Sequence, residues 1–203
     1  MAKILLTSNG FFTDLIKQQF LHLFENPIRE KRATIITTAS QQKQHNRFAI
    51  KAKEDLLKMG FFQVDFTDVE YDSPELLENY DVIYINGGNP FYLLYHLRKS
   101  GADLILKKMA QHNAVFVGVS AGAVIFGPNI EIVNFFTPQM NNVNMKDLTA
   151  IGLTDKTIFP HYDREDVFPD HLGRSIEDRL KLYESINKCS VVRIKDDGYL
   201  LIQ

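Results

Sequence analysis

Gly118-Val119-Ser120-Ala121-Gly122 sets one hydroxyl between two glycines, directly after the apolar run Val115-Phe116-Val117 and ahead of Ala123-Val124-Ile125-Phe126-Gly127. That order predicts a strand, a sharp turn and a helix. The G-x-S-x-G spacing suits a nucleophile elbow, because flanking glycines let the strand and the returning helix approach while Oγ projects from a strained turn. Ser120 then stands at a helix N-terminus, where peptide dipoles favour the negative charge that develops in acyl transfer. The same pentapeptide also suits an ordinary strand-to-helix turn without chemistry.

A serine hydroxyl is a weak nucleophile at neutral pH and needs a base. Of the six histidines, His22 and His45 are expected on helices remote from the strand ends, His96 mid-helix, and His112 before the serine strand at its wrong end. His171 belongs to a charged loop. His161 follows an apolar, strand-like segment and Pro160, whose fixed φ aims it from a strand end, so placement makes it the best base of the six, while the pattern suits a solvated loop histidine equally well. The group that would orient the imidazole is open among Glu131, Asp163, Asp196 and Asp197, since that contact is tertiary. Two N–H donors are needed for an oxyanion. Ala121 supplies one through the elbow, and the Gly87-Gly88-Asn89 turn offers a second, although that turn is also a plain tight connection.

These groups need a scaffold to hold them. Strands are expected at 3–7, 33–38, 61–66, 81–85 and 115–119. Between them, Thr13 or Asp14 opens a helix with Leu15, Ile16, Phe20, Leu23 and Phe24 on one face, and a longer amphipathic helix covers 41–59. Asp72-Ser73-Pro74-Glu75 reads as a helix entry with Leu76 and Leu77 inward, and further helices cover 91–98 and the stretch after Gly101. Strand and helix alternate across short loops, which predicts an α/β fold: a mostly parallel sheet with helices on both faces and its site at the strand carboxyl ends. Past Gly127, Ile130–Val133 is expected as a strand, another strand ends near Phe159, and a helix covers about 175–185. Val191–Ile194 and Tyr199–Ile202, joined by Lys195-Asp196-Asp197-Gly198, predict a terminal β-hairpin.

Length and composition agree with one α/β domain over 1–203, with 45% hydrophobic residues and a net charge of -2. No basic stripe points to nucleic acid, and the apolar runs have strand length, too short to span a bilayer. The first residues lead straight into a strand without a cleavable leader, so a cytoplasmic location is expected. Cys189 is the only cysteine, which excludes an intramolecular disulfide or a cysteine-rich zinc site and leaves a packed thiol. No cofactor or metal is called for, and a monomer or homodimer is expected.

Ile83-Tyr84-Ile85-Asn86-Gly87-Gly88-Asn89, Gly118-Val119-Ser120-Ala121-Gly122-Ala123 and Pro160-His161, in this order and spacing, resemble the S51 serine peptidases, the group of dipeptidase E and cyanophycinase. The likeness extends over nearly the whole chain. It implies a class I glutamine-amidotransferase-like (flavodoxin-like) three-layer fold with serine in place of the usual elbow cysteine. At matching positions, Ser120 would be the nucleophile, His161 the base, and the amides of Gly88 and Ala121 the oxyanion donors. The dipeptidase branch has an acid fifteen residues after its serine, where this chain has Phe135. Another family acid lies in the late hairpin, where Asp196 matches most nearly, so Asp196 is preferred, with Glu131 and Asp163 in reserve. Asn89 and Arg179 are the candidate substrate-binding residues. The family's aspartyl-dipeptide enzymes carry Gly-Glu-Thr-Arg-x-x-Arg for the substrate carboxylate, whereas Gly173-Arg174-Ser175-Ile176-Glu177-Asp178-Arg179 has Ile176 at the first arginine, which argues against strict dependence on an N-terminal aspartate.

The expected function is therefore a serine peptidase acting on short peptides through an acyl-enzyme. The alternative is a flavodoxin-like module whose glycine-rich turns bind a small anion without catalysis. A glutamine amidotransferase is disfavoured, because its elbow requires a thiolate and Cys189 lies far downstream.

Overall fold

The computed structural model describes residues 2–112 and 114–203. Its strands are β1 (Lys3–Thr7), β2 (Arg32–Ile36), β3 (Gln63–Thr67), β4 (Val82–Ile85), β5 (Val115–Val119), β6 (Thr157–Phe159), β7 (Val191–Arg193) and β8 (Tyr199–Ile202). Its α-helices are α1 (Asp14–Leu21), α2 (Arg47–Lys58), α3 (Pro90–Ser100), α4 (Ala102–Ala110), α5 (Ala121–Val124), α6 (Glu131–Phe136) and α7 (Ile176–Asn187). Among the described residues, no helix is long and apolar enough to cross a membrane.

A six-stranded sheet runs in the order β3-β2-β4-β5-β1-β8. Its first five strands are mutually parallel, and β8 pairs antiparallel with β1 through Thr7↔Tyr199. β5 lies between β4 and β1, with Val115 opposite both Val82 and Lys3. Every residue of β5 is buried, which is why its sequence is a continuous apolar run instead of an alternation.

Successive side chains still leave on opposite faces, and each face has its own core. Leu5, Phe20, Leu56 and Val117 pack under α1 and α2, while Leu6, Phe91, Leu106, Phe116 and Phe126 pack under the helices that follow β4 and β5. Each such side chain, fully removed from water, contributes about 1.5–3 kcal/mol before conformational entropy is subtracted. The result is an α/β fold with helices on both faces of a mostly parallel sheet, and it turns the carboxyl ends of β1, β4 and β5 toward the same edge.

Several local expectations fail for physical reasons. Ile130–Val133 is not a strand: Asn129 Oδ1 accepts the Glu131 N–H at 3.1 Å, and Ile132, Val133 and Phe136 form the buried side of α6. Nor do the last two strands form a hairpin. β7 pairs in parallel with β6 in a separate two-stranded sheet, and the turn closed by Gly198 N–H on Lys195 O at 2.9 Å sends the chain across to the edge of the main sheet. Residues 41–46 do not extend the helix, because the Asn46 side chain caps Phe48 and Ala49 and starts α2 there. Leu15 and Leu76 are half exposed, so only part of each expected apolar face is inward.

Candidate active site

β5 delivers Ser120, and the backbone reverses there. The Ser120 N–H donates to Thr7 O at 3.0 Å, completing the ladder with β1, and the residue then takes φ +52° and ψ −112° before α5 begins. A non-glycine residue in such a conformation costs about 1–3 kcal/mol and persists only where its surroundings enforce it. They do so here. A Cβ on Gly122 would lie 2.2 Å from Ile85 O, so only glycine lets α5 settle against the end of β4. The turn after β4 is equally close: a Cβ on Gly87 would lie 3.1 Å from Ser120 Cβ and 3.6 Å from its Oγ.

His161 arrives from the end of β6 with a φ of +57°. Its N–H donates to Ser8 Oγ at 2.9 Å, and that hydroxyl donates to Ile194 O at 2.8 Å. One buried hydroxyl therefore joins the end of β1 to the ends of β6 and β7. The ring reaches both ways, with Nε2 3.0 Å from Ser120 Oγ and Nδ1 2.6 Å from Asp196 Oδ1. A carboxylate can only accept, so Nδ1 carries the proton and Nε2 is left to accept the Ser120 hydroxyl. Asp196 is fixed in turn: its Oδ2 accepts from Arg164 Nη1 at 3.0 Å, and its N–H donates to Asp163 Oδ1 at 2.9 Å. Hydrogen bonds from the Arg164 guanidinium to Asp166, and then to Asp196, hold its pKa above the ordinary arginine value.

Ser120, His161, Asp196, Gly88 and Ala121 thus meet at one edge of the sheet, and Asp163 touches the group through the backbone of Asp196. Three other candidates do not join them. Glu131 is exposed at the start of α6. Asn89 spends its side chain as the cap of α3, accepting from Phe91 and Tyr92 N–H at 3.0 and 3.1 Å and donating to Met140 O at 2.7 Å. Arg179 is 4% exposed and donates to Phe168 O at 2.9 Å and Phe136 O at 3.3 Å, with its guanidinium carbon 4.0 Å from the Phe136 ring centre. Asp197 is exposed, and Cys189 is half-buried, its thiol pushed up by burial. Among the described residues, no three His, Cys, Asp or Glu side chains are grouped to hold a metal ion.

Two residues escaped the sequence reading in the roles they occupy, Ser8 as the bridge to His161 and Arg164 as the partner of Asp196. The Ser8-Asn9-Gly10 turn at the carboxyl end of β1 was the available signal, because it puts a hydroxyl on the same sheet edge as Ser120.

Two cavities share Gly88, Ser120 and His161 in their walls. One, about 170 Å³, is apolar, with Val124, Ile132, Val133, Phe136, Phe159 and Phe168 around it. The other, about 370 Å³, is mixed, with Phe11, Phe12 and Phe48 beside Ser8, Asn9 and Asn86. Asn86 Oδ1 is buried there without a hydrogen-bond partner among the described residues. An unpaired buried acceptor costs about 1–3 kcal/mol. A larger cavity, about 520 Å³, opens between Lys3, Lys31, Asp81 and Lys108 at the amino ends of the strands, away from Ser120.

A parallel α/β sheet carrying a strained serine at a strand end, with a histidine and a carboxylate in line behind it, has the layout of a hydrolase. Comparison with known proteins makes the class specific. The sequence model of peptidase family S51 matches residues 4–203, and the chain belongs to that family. It is 31% identical over 167 residues to an uncharacterized peptidase of Listeria monocytogenes, covering 80% of this chain and 79% of the relative. A Pasteurella multocida peptidase, also uncharacterized, is 32% identical over 166 residues, covering 80% and 78%. Peptidase E of Streptomyces coelicolor is 28% identical over 127 residues, 63% of this chain and 51% of that protein. A crystal structure from Listeria monocytogenes, provisionally assigned as a peptidase E, superposes with a TM-score of 0.78 at 25% identity, over 100% of this chain and 94% of that one.

Proposed function

We propose that the chain, acting as one catalytic unit, is a serine peptidase that hydrolyses short peptides through an acyl-enzyme on Ser120. The unbroken hydrogen-bonded line from Ser120 Oγ through His161 to Asp196 carries this reading. In it, His161 Nε2 takes the hydroxyl proton as Oγ attacks the scissile carbonyl carbon. Asp196 holds the imidazole in the required tautomer and stabilises the imidazolium that forms. The amides of Gly88 and Ala121 receive the oxyanion, since the first N–H groups of a helix lack intrahelical partners and the glycine turn lies against the serine. The imidazolium then gives its proton to the departing amine, the C–N bond breaks, and a water activated by the same nitrogen hydrolyses the ester. The two cavities meeting at Ser120 suit a substrate with a few residues on either side of the bond.

The test is a fluorophosphonate followed by intact-mass spectrometry, alongside hydrolysis of a dipeptide and tripeptide panel. The parent should gain one adduct on Ser120 and Ser120→Ala none, with turnover lower by roughly 10⁴-fold or more. An unlabelled parent, or a Ser120→Ala protein as active as the parent, would show the anion-binding reading to be the better one.

A further inference from the structure

The apolar cavity beside Ser120 has walls that are chemically one-sided. Val124 comes from α5, Ile132, Val133 and Phe136 from α6, Phe159 from β6, and Phe168 from the loop before α7. Thr137, the one hydroxyl-bearing side chain in that wall besides Ser120, donates to Val133 O at 3.2 Å and is already engaged. A carboxylate entering this space would leave its water behind and meet no lysine or arginine among the lining residues to offset that loss.

The three arginines between the end of β6 and the end of α7 are all committed elsewhere. Arg164 binds Asp166 and Asp196. Arg174 binds both oxygens of Asp170, at 3.0 and 3.1 Å. Arg179 stacks on the Phe136 ring from behind and donates to the carbonyls of Phe136 and Phe168, the two residues whose rings help line the cavity. Burial lowers the Arg179 pKa, and Asp170, 3.9 Å away, works against that loss. The guanidinium therefore fixes the backbone of two aromatic wall residues and does not face the space they enclose.

We infer that this cavity is the specificity pocket for the residue donating the scissile carbonyl, and that it takes an uncharged aliphatic or aromatic side chain of leucine to phenylalanine size. The inference rests on the acyl-enzyme reading of Ser120. Its volume of about 170 Å³ slightly exceeds the apolar cavity of about 150 Å³ that holds benzene in an engineered protein core. Its wall also includes Ser120, Gly88 and His161, so a side chain borne on the carbon next to the attacked one enters it directly. The selected substrates are short peptides with Leu, Met or Phe before the bond that breaks, not Asp.

The experiment uses diphenyl aminoalkylphosphonates bearing isobutyl, benzyl, methyl or carboxymethyl groups, each timed for inactivation of the parent and located by peptide mass spectrometry. Isobutyl and benzyl should react at least roughly tenfold faster than methyl, and carboxymethyl should be slowest of all. Carboxymethyl or methyl reacting as fast as isobutyl overturns the pocket while leaving the acyl-enzyme intact. Failure of every phosphonate, and of the fluorophosphonate, to mark Ser120 removes the acyl-enzyme and the pocket together. Val133→Phe should shift the preference toward methyl, and Val133→Ala, which leaves the wall intact but wider, toward benzyl. An unchanged order in both refutes the assignment. Arg179→Lys should lower the melting temperature without altering the isobutyl to carboxymethyl ratio, and a selective loss of the carboxymethyl reagent would overturn the inference.

Discussion

The turn at Ser120 and the His161 arm that reaches it are built by opposite means. The turn belongs to one contiguous stretch, and its shape follows from glycines that pack backbone on backbone, as Gly122 does against Ile85 O. The arm is assembled from the ends of three strands, and its cement is the Ser8 hydroxyl, bonded to residues 153 and 186 positions away. Half of the site is therefore steric and local, and half is polar and topological. Substitutions should fail differently on the two sides: by loss of fold at the turn, and by loss of alignment at the arm.

The largest effect should come from the turn. Gly122→Ala would drive a Cβ to 2.2 Å from Ile85 O and 2.9 Å from its carbonyl carbon, both backbone atoms that cannot swing away. Strain of this kind costs about 3 kcal/mol or more, and the expected outcome is a lower urea midpoint together with lost turnover. Full stability with full activity would mean that the turn is not sterically fixed.

On the arm, Asp196→Asn should keep the fold and lose turnover by roughly 10³-fold, because an amide oriented to accept from Arg164 turns its NH₂ toward His161 Nδ1 and reverses the tautomer. Asp163→Asn retains the oxygen that accepts the Asp196 N–H, so its loss should stay within about tenfold. Ser8→Ala should fall between them. It strands the His161 N–H, while Ile194 O keeps the Tyr162 N–H at 3.1 Å, for about 1–3 kcal/mol of stability, and it frees the imidazole to drift, which lowers kcat more than it raises KM. Measured kcat values in any other order would show that the arm is not aligned through this relay.

The same contrast explains what could be read from the chain. The parallel sheet, both glycine turns and the serine stood out because apolar runs and glycines act within a few residues of themselves. His161 could be selected by its position after β6, while the choice among Glu131, Asp163, Asp196 and Asp197 depended on a tertiary contact, which falls on Asp196, 35 residues from the imidazole. The terminal hairpin was misread for a related reason: β7 and β8 each satisfy strand periodicity, but β6 and β1 offer better-placed edges than they offer each other. Arg179 was assigned from the spacing of a motif, and spacing does not disclose that its guanidinium turns toward the carbonyls of Phe136 and Phe168.

A small effect should expose one polar dependence on the turn side. Ala39 O accepts the Asn89 N–H at 2.8 Å and lies 2.2 Å from where a Cβ on Gly88 would stand, so the loop after β2 backs the glycine turn. That loop is held by Lys43, whose Nζ pairs with Glu70 and with Asp68 at 3.0 Å and lies over the rings of Tyr92 and Tyr71. Burial alone would raise the Glu70 pKa, but hydrogen bonds from Lys43, Tyr92 and Tyr71 and the Lys43 charge outweigh it and bring it to about 2. A folded pKa below the ordinary glutamate value means that this stabilisation is whole above pH 4.5 and fades as pH falls toward about 2. His96, 4.0 Å from Glu70 and pushed down by burial, also weakens the fold in acid, since unfolding lets the imidazole charge. Glu70→Gln removes the carboxylate and also its support of the His96 charge, so below pH 4.5, where His96 is already titrated in the unfolded chain, the difference from the parent reports Glu70. At pH 7 the variant should be less stable by about 1–3 kcal/mol, with turnover within about threefold of the parent. That gap should narrow steadily from pH 4.5 to about 2 in urea titrations. A gap that does not change with pH would mean that Glu70 holds the loop by shape and not by charge.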